Sequence, residues 1–276
     1  MSAPPVALTI AGSDCSAGAG IQADLKTFSL LGVHGLTSVT AIVAETPREV
    51  HGTHPLPPAL LRKQIDILLR AYPVAAVKTG LLGTAEHVAA VAELLEGTDI
   101  PLVVDPVLSS STGTQFASDK VVSAYEEQLL PLASLLTPNL PEAEKLLGYE
   151  AVPGLSVEKN PLEAAGRLSR KVGAPVLLTG GHNPRNDHQA TDLLYDNGKV
   201  ITFSRPWIDL PGAHGTGCTY SAAITGCLAH GLDLHDSIEK AKSLITASLK
   251  ESYNWIRDPE EPELRALNLL PPGGCK

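Results

Sequence analysis

Aromatic residues make up only 4% of this 276-residue chain, three Phe, two Trp and six Tyr, and there is a single Met. A core without many rings has to be built from Ala, Val, Leu and Ile, and the 43% apolar content supplies enough of them. Positive charge is short as well, since 21 Lys and Arg against 30 Asp and Glu leave a formal charge of −9. That excludes the basic face a nucleic-acid partner requires. Any phosphate site must then draw on backbone amides, a metal ion and a few local cations. No apolar run approaches the length of a membrane span, so no membrane partner is expected. The first residues, MSAPPVALTIAG, lead directly into a strand. Cys15, Cys218, Cys227 and Cys275 show neither metal-ligand nor disulfide spacing. The expectation is a soluble, reduced, cytoplasmic chain.

Short apolar runs alternate with stretches of helical periodicity. Strands are expected at Val6–Ala11, Leu36–Ala44, Val74–Thr79, Leu102–Asp105, Ser134–Thr137 and Val176–Thr179. Helices are expected at Ile21–Leu31, Pro58–Ala71, Thr84–Leu95, Asp119–Leu130, Pro141–Leu147 and Pro161–Val172. Such alternation implies right-handed crossovers and an α/β fold, a large mainly parallel sheet with helices on both faces. TDLLYD and KVITFS then flank Asn197-Gly198, a type I′ hairpin signal. Two long helices follow, roughly Thr216–His230 and His235–Trp255. The tail Asp258–Lys276, rich in Pro, Glu and Gly, reads as loosely packed. No repeat or linker divides the chain, so one domain over residues 1–257 with a tail at 258–276 is expected.

The most informative segment is HGTGCTYSAA, residues 214–223. Glycines beside Thr216 and Cys218, followed by small and apolar residues at helical spacing, read as a tight turn opening a helix. Such a turn aims unpaired amides and the positive end of the helix dipole at one point, where an anion binds well. A helix that merely follows a glycine-rich loop fits the local pattern equally. In open parallel sheets ligands lie beyond the carboxyl ends of the strands. The residues there are Gly12-Ser13-Asp14, Glu45, Lys78-Thr79-Gly80, Asp105, Thr137-Pro138-Asn139 and Thr179-Gly180-Gly181-His182, small and polar as a polyphosphate site would be.

Read in order, ALTIAGSD (7–14), GAGIQADLKTF (18–28), VKTGLLG (77–83), VVDPV (103–107), LLTPNLPEAEKL (135–146) and HGTGCTYSAA resemble one family. It is that of the hydroxymethylpyrimidine and hydroxymethylpyrimidine-phosphate kinases of thiamine biosynthesis, in the ribokinase-like superfamily. The resemblance implies a three-layer ribokinase-like fold, ATP and Mg²⁺ as co-substrates, a small pyrimidine as acceptor and a homodimer. By position, Cys218 resembles the family's active-site cysteine. A thiol at a helix N-terminus is expected to have a lowered pKa, and the amides of Gly215, Thr216, Gly217 and Cys218 to stabilise the transferred phosphoryl group. Asp24 resembles the residue that bonds the substrate's hydroxymethyl group, with a solvated helix carboxylate as the plainer reading. Gly12, Glu45, Leu81 and Val107 fall at ring-contacting positions. Asn139 and Glu142 resemble the pair that orders Mg²⁺ waters and phosphate, and also suit a helix cap. Asp105 is a second metal carboxylate, and Thr179, His214 and His182 are phosphate-side candidates.

Three departures bear on substrate and rate. Glu45-Thr46-Pro47 stands where the family commonly has Gln-Asn-Thr, and a carboxylate only accepts where an amide both donates and accepts. LSSSTG (108–113), with Ser111, replaces a lysine-bearing loop, and Thr179 replaces a lysine before Gly-Gly-His. A pyridoxal or pyridoxine kinase is a second expectation, since close relatives of the resembled family share the cysteine motif and accept a hydroxymethylated heteroaromatic ring. A non-catalytic pyrimidine-binding protein is a third, and a cysteine hydrolase pairing Cys218 with His214 is the weakest.

Overall fold

The computed structural model describes residues 2–110, 113–148, 156–180, 188–208, 210, 214–256 and 264–270. Its centre is a nine-stranded sheet in the order β3-β2-β1-β4-β5-β6-β7-β8-β9. The strands are β1 (Val6–Asp14), β2 (His34–Thr46), β3 (Glu49–Pro55), β4 (Val74–Thr79), β5 (Leu102–Val104), β6 (Leu135–Leu136), β7 (Val176–Leu178), β8 (Gln189–Asp196) and β9 (Lys199–Pro206). From β2 to β7 neighbours run parallel. β3 and the β8–β9 hairpin close the two edges antiparallel. Asn197 and Gly198 both take positive φ, 47° and 82°, the geometry of the expected type I′ turn.

Period-two alternation sends successive residues of each inner strand to opposite helix layers. Leu8 and Ile10 of β1, Leu102 and Val104 of β5, and Val176 and Leu178 of β7 join one core. On that face lie α2 (Pro58–Ala71), α3 (Ala85–Leu95), α4 (Asp119–Ala124), α5 (Leu140–Leu147) and α6 (Pro161–Val172). Val103 and Leu177 point the other way, towards Ile224 of α7 (Thr216–Ala229) and Ile238 of α8 (Leu234–Lys250). Ala7 meets Phe28 of α1 (Gly20–Leu30) and Ala222 of α7 on the same side. Two helix layers enclosing one sheet give the expected three-layer α/β architecture.

Four features differ from expectation. β3 carries no apolar alternation because most of its residues face solvent, and so gives no periodic signal. The helix expected over Asp119–Leu130 stops at Ala124 and continues as a π-helical turn, Tyr125–Leu129, and a 3-10 turn, Leu130–Leu132. The last helix ends at Lys250 rather than Trp255, because β10 (Tyr253–Trp255) pairs antiparallel with β11 (Leu264–Ala266). The stretch beyond Asp258 is correspondingly not uniformly loose: Leu267 and Leu269 are buried against Ile245 of α8.

In the sheet order, the chain leaves β1 towards β2 on one side and returns to β4 on the other. This reversal opens a crevice above the carboxyl ends of β1 and β4, the place where open α/β sheets bind ligands.

Candidate active site

Two glycine turns interlock at this crevice. Gly215 caps α7 with φ 80°, and a Cβ there would stand 1.8 Å from the carbonyl oxygen of Gly18. Gly20 opens α1 with φ 56°, and its Cβ would meet the Gly12 carbonyl at 2.3 Å. Only glycine tolerates both the left-handed backbone and that proximity. The expected turn into a helix is therefore present. The first intrahelical bond of α7 runs from Thr219 N–H to Gly215 C=O at 2.9 Å. The Thr216, Gly217 and Cys218 amides precede it, at the positive end of the helix.

Beneath the turn sits Lys78 of β4, fully buried and ion-paired with the equally buried Asp24. Asp24 also accepts a 2.5 Å bond from Thr9 Oγ1. Burial works against the ammonium charge, yet Asp24, Cys218 and Asp105 around it hold the Lys78 pKa above its usual value. Asp24 is thus neither the solvated carboxylate of the plainer reading nor open to the crevice, since Lys78 and Thr9 engage its two oxygens. The sequence places Lys78 at the carboxyl end of β4 without a specific role. Its signal was a lone lysine closing the apolar run VAAVKT, a charge that a buried strand does not carry unpaired.

Cys218 overturns an expectation. Its thiol is pushed up to about 12 rather than lowered: burial raises it most, Lys78 pulls it down, and the Asp105 and Asp24 carboxylates raise it again. The Gly20 amide bonded to it does not offset them. The resting side chain, only partly exposed, is a thiol.

Asp105, just past β5, accepts from Ser221 Oγ of α7 at 2.8 Å, another contact without a local sequence signal. Glu142 and Asn139 form a capping box on α5, with Asn139 N–H to Glu142 Oε2 and Glu142 N–H to Asn139 Oδ1 both at 2.9 Å. Burial pushes Glu142 well up, and the Asp105 charge pushes it further against the Asn139 and Leu108 amides. Asp105 is also raised, chiefly by burial and against the pull of Lys78. Two buried carboxylates that disfavour each other's charge are the kind of oxygen groups that suit a hard divalent cation retaining most of its waters.

On the β2 side, Gly12 lies under Leu81, whose Cδ2 would be 3.1 Å from a Cβ at that glycine. Leu81 O accepts a 2.5 Å bond from Thr40 Oγ1, which fixes the loop after β4. Val107 is partly exposed after β5. Thr179, partly exposed, is stitched to the α5 cap through Thr179 N–H to Pro138 C=O at 3.0 Å. His214 is buried with Nε2 3.4 Å from Asp14 Oδ2. Asp14, also without an assigned role, accepts from Ser16 N–H, Ser16 Oγ, Gly18 N–H and Ala19 N–H at 2.7–3.0 Å. Burial opposes its charge, but His214 and these donors hold its carboxyl below the usual value. Glu45 is raised by burial and by Asp14, with His214 opposing. Ser111, Gly181 and His182 lie outside the described residues. A shallow groove between α6 and the hairpin, about 570 Å³, is lined by Leu162, Arg170 and Tyr195. It lies towards the opposite end of the sheet, because Tyr195 pairs with Val176 at the start of β7.

The family model of phosphomethylpyrimidine kinase matches residues 14–259. A hydroxymethylpyrimidine/phosphomethylpyrimidine kinase of Haemophilus influenzae is 38% identical over 90% of this chain and 91% of its own length. The thiamine biosynthesis bifunctional protein ThiED of Geobacter sulfurreducens is 44% identical, and the chain spans only 49% of its length. Among solved structures, the Bacillus subtilis pyridoxal kinase in complex with ADP superposes with TM-score 0.83 at 36% identity, covering 96% of this chain and 97% of that one. Phosphomethylpyrimidine kinase from Clostridium difficile gives 0.73 at 33% identity, over 88% and 98%. The fold is ribokinase-like, the activity is phosphotransfer, and the chain belongs to the phosphomethylpyrimidine kinase family.

Proposed function

We propose that this chain transfers the terminal phosphoryl group of ATP to the phosphate of hydroxymethylpyrimidine monophosphate, and more slowly to the free alcohol. The observation that carries this reading is the α7 turn, where Gly215 is locked against Gly18 and Cys218 lies within electrostatic reach of the buried Lys78. Amide donors fixed before the reaction stabilise charge that develops on the transferred group. Asp105 and Glu142 would hold Mg²⁺, with Asn139 and Thr179 on the phosphate side. When bound, the ion neutralises charge on the phosphate oxygens. Gly12, Leu81, Val107 and Glu45 would line the ring end.

The preference for the monophosphate follows from Cys218. A thiol raised to about 12 is a poor base near neutral pH. A phosphate acceptor is already ionised there and needs none, whereas an alcohol must lose a proton. The same proposal includes a homodimer working in the cytoplasm, which rests on the family resemblance alone.

Phosphorylation of pyridoxal or pyridoxine is the second reading. It is favoured by the 38% identity to a Bacillus subtilis pyridoxine kinase and by Glu45 in place of the expected amide. ADP release with ATP and Mg²⁺ distinguishes the two, using hydroxymethylpyrimidine, its monophosphate and pyridoxal in separate reactions. The monophosphate is expected to turn over fastest. Turnover on pyridoxal alone would replace the first reading by the second, and silence on all three from folded protein would overturn both.

A further inference from the structure

Where Glu45 reaches the ring end of the crevice, apart from the Asp105–Glu142 pair, one oxygen of Asp14, one of Glu45 and a ring nitrogen of His214 lie within 4.8 Å of one another. They come from three separate segments: Asp14 ends β1, Glu45 lies near the end of β2, and His214 precedes the α7 turn. All three are largely buried, with 1%, 9% and 8% of their surface exposed. The cluster is held from behind. Asp14 is anchored by the Ser16, Gly18 and Ala19 amides, and the His214 ring packs on Gly18, where a Cβ would come within 2.6 Å of it.

A second observation sets Glu45 apart. Among the described residues its carboxylate makes no hydrogen bond or ion pair, although its backbone oxygen accepts from Cys15 Sγ at 3.4 Å. On a residue with 9% of its surface exposed, a carboxylate that faces a second carboxylate and has no donor offers its lone pairs to a cation. Asp14 presents Oδ1, which accepts only the Ser16 amide and keeps a lone pair free, while Oδ2 is already crowded by its donors.

We propose that Asp14, Glu45 and His214 form a binding site for a divalent transition-metal ion of the Zn²⁺ or Mn²⁺ class, separate from the Mg²⁺ held for phosphotransfer. Two carboxylates and one imidazole are a mixed O,O,N set, which suits these ions better than Mg²⁺. Ligand atoms around one such ion, at about 2.0–2.2 Å each, stand roughly 3–3.5 Å apart. Closing the cluster from 4.8 Å requires side-chain shifts of about 1 Å or less. Three protein ligands leave coordination positions for water. The site depends on this chain's glutamate, because an amide at residue 45 would supply a weaker, uncharged oxygen.

The test uses full-length protein stripped with a chelator and titrated with Co²⁺ in excess Mg²⁺, without ATP or acceptor. Visible absorption and equilibrium dialysis read the binding. One Co²⁺ per chain, displaced by Zn²⁺, is expected. Glu45→Gln, nearly isosteric, should weaken affinity by about tenfold or more, and His214→Gln likewise, whereas Glu142→Gln should leave it unchanged. Absence of tight binding overturns the proposal, as does a loss in Glu142→Gln equal to that in Glu45→Gln, or Glu45→Gln binding as the parent does. Because no nucleotide or acceptor is present, such a failure leaves the kinase reading untouched.

Discussion

At Cys218 two opposing fields meet. The α7 N-terminus and Lys78 favour a thiolate, while burial and the Asp24 and Asp105 carboxylates favour the thiol, and the second set prevails at about 12. The sequence shows the glycine-framed helix start but not the carboxylates, since Asp24 and Asp105 lie far away in the chain. That is why the direction of this shift was illegible while the position was not. A buried acid with a raised pKa keeps its proton in the folded state, so the unfolded chain holds fewer protons between the usual thiol value and about 12. Stability should therefore fall as pH rises through that window, and Cys218→Ala should remove this part of the alkaline loss. For catalysis, turnover of the monophosphate should rise with the acceptor's own ionisation near pH ~6 and level off. Cys218→Ala should leave that profile in place and lower turnover of the alcohol no more than that of the monophosphate, since a thiol raised to about 12 is not the base for either. A rate on the monophosphate that climbs past pH 9 in the parent but not in Cys218→Ala would defeat the argument.

Elements with an apolar face or run to bury were readable, and those without were not. α2 lies at the expected bounds because Leu61 and Ile65 recur at helical spacing on its core face, and β4 because its apolar run is buried on both sides, Val77 in one core and Ala76 in the other. β3 offers no such contrast, and the end of α8 is set by a partner strand beyond the helix rather than by a capping signal. The α7 turn lies between these cases. Its glycines announce a turn, but only packing reveals that Gly215 and Gly217 do different things. Alanine at residue 215 would take φ 80° and place a methyl 1.8 Å from the Gly18 carbonyl, whereas at residue 217 nothing lies within 4 Å. Gly215→Ala should therefore cost about 3 kcal/mol or more. Gly217→Ala should stay within about 1 kcal/mol of the parent, since alanine is the better helix former. Urea denaturation of both variants checks this, and equal stabilities would mean that the two turns do not interlock.

Across the whole molecule, an acidic chain keeps two buried lysines among the described residues, and each ties distant parts together. Lys78 joins β4 to Asp24 of α1, 54 residues away, and Lys242 joins α8 to Asp192 of β8 at 2.6 Å, 50 residues away. Asp192 in turn accepts from the Gly180 amide at 3.1 Å, which connects the hairpin edge to the crevice. Composition foretold few cations but not where they are spent, because pairing over such separations leaves no local pattern. The C-terminal stretch repeats the lesson in apolar form. Its Pro, Glu and Gly content masks Leu267 and Leu269, which close a small cluster with Ile245 on the outer side of α8. Since α8 also carries Lys242, loosening that cluster should be felt at the hairpin. Replacing both leucines by alanine removes two buried side chains and should cost about 4 kcal/mol, towards the lower end for such substitutions because the cluster is small. The melting temperature should then fall on the order of 10 °C. Amide exchange should quicken in β8 and β9 as well as in α8. A loss under about 1 kcal/mol would mean that residues 264–270 ride on the surface without bracing it. A full loss with exchange confined to the tail would break the link from α8 to the hairpin, leaving the Asp192–Lys242 pair as a local fastening.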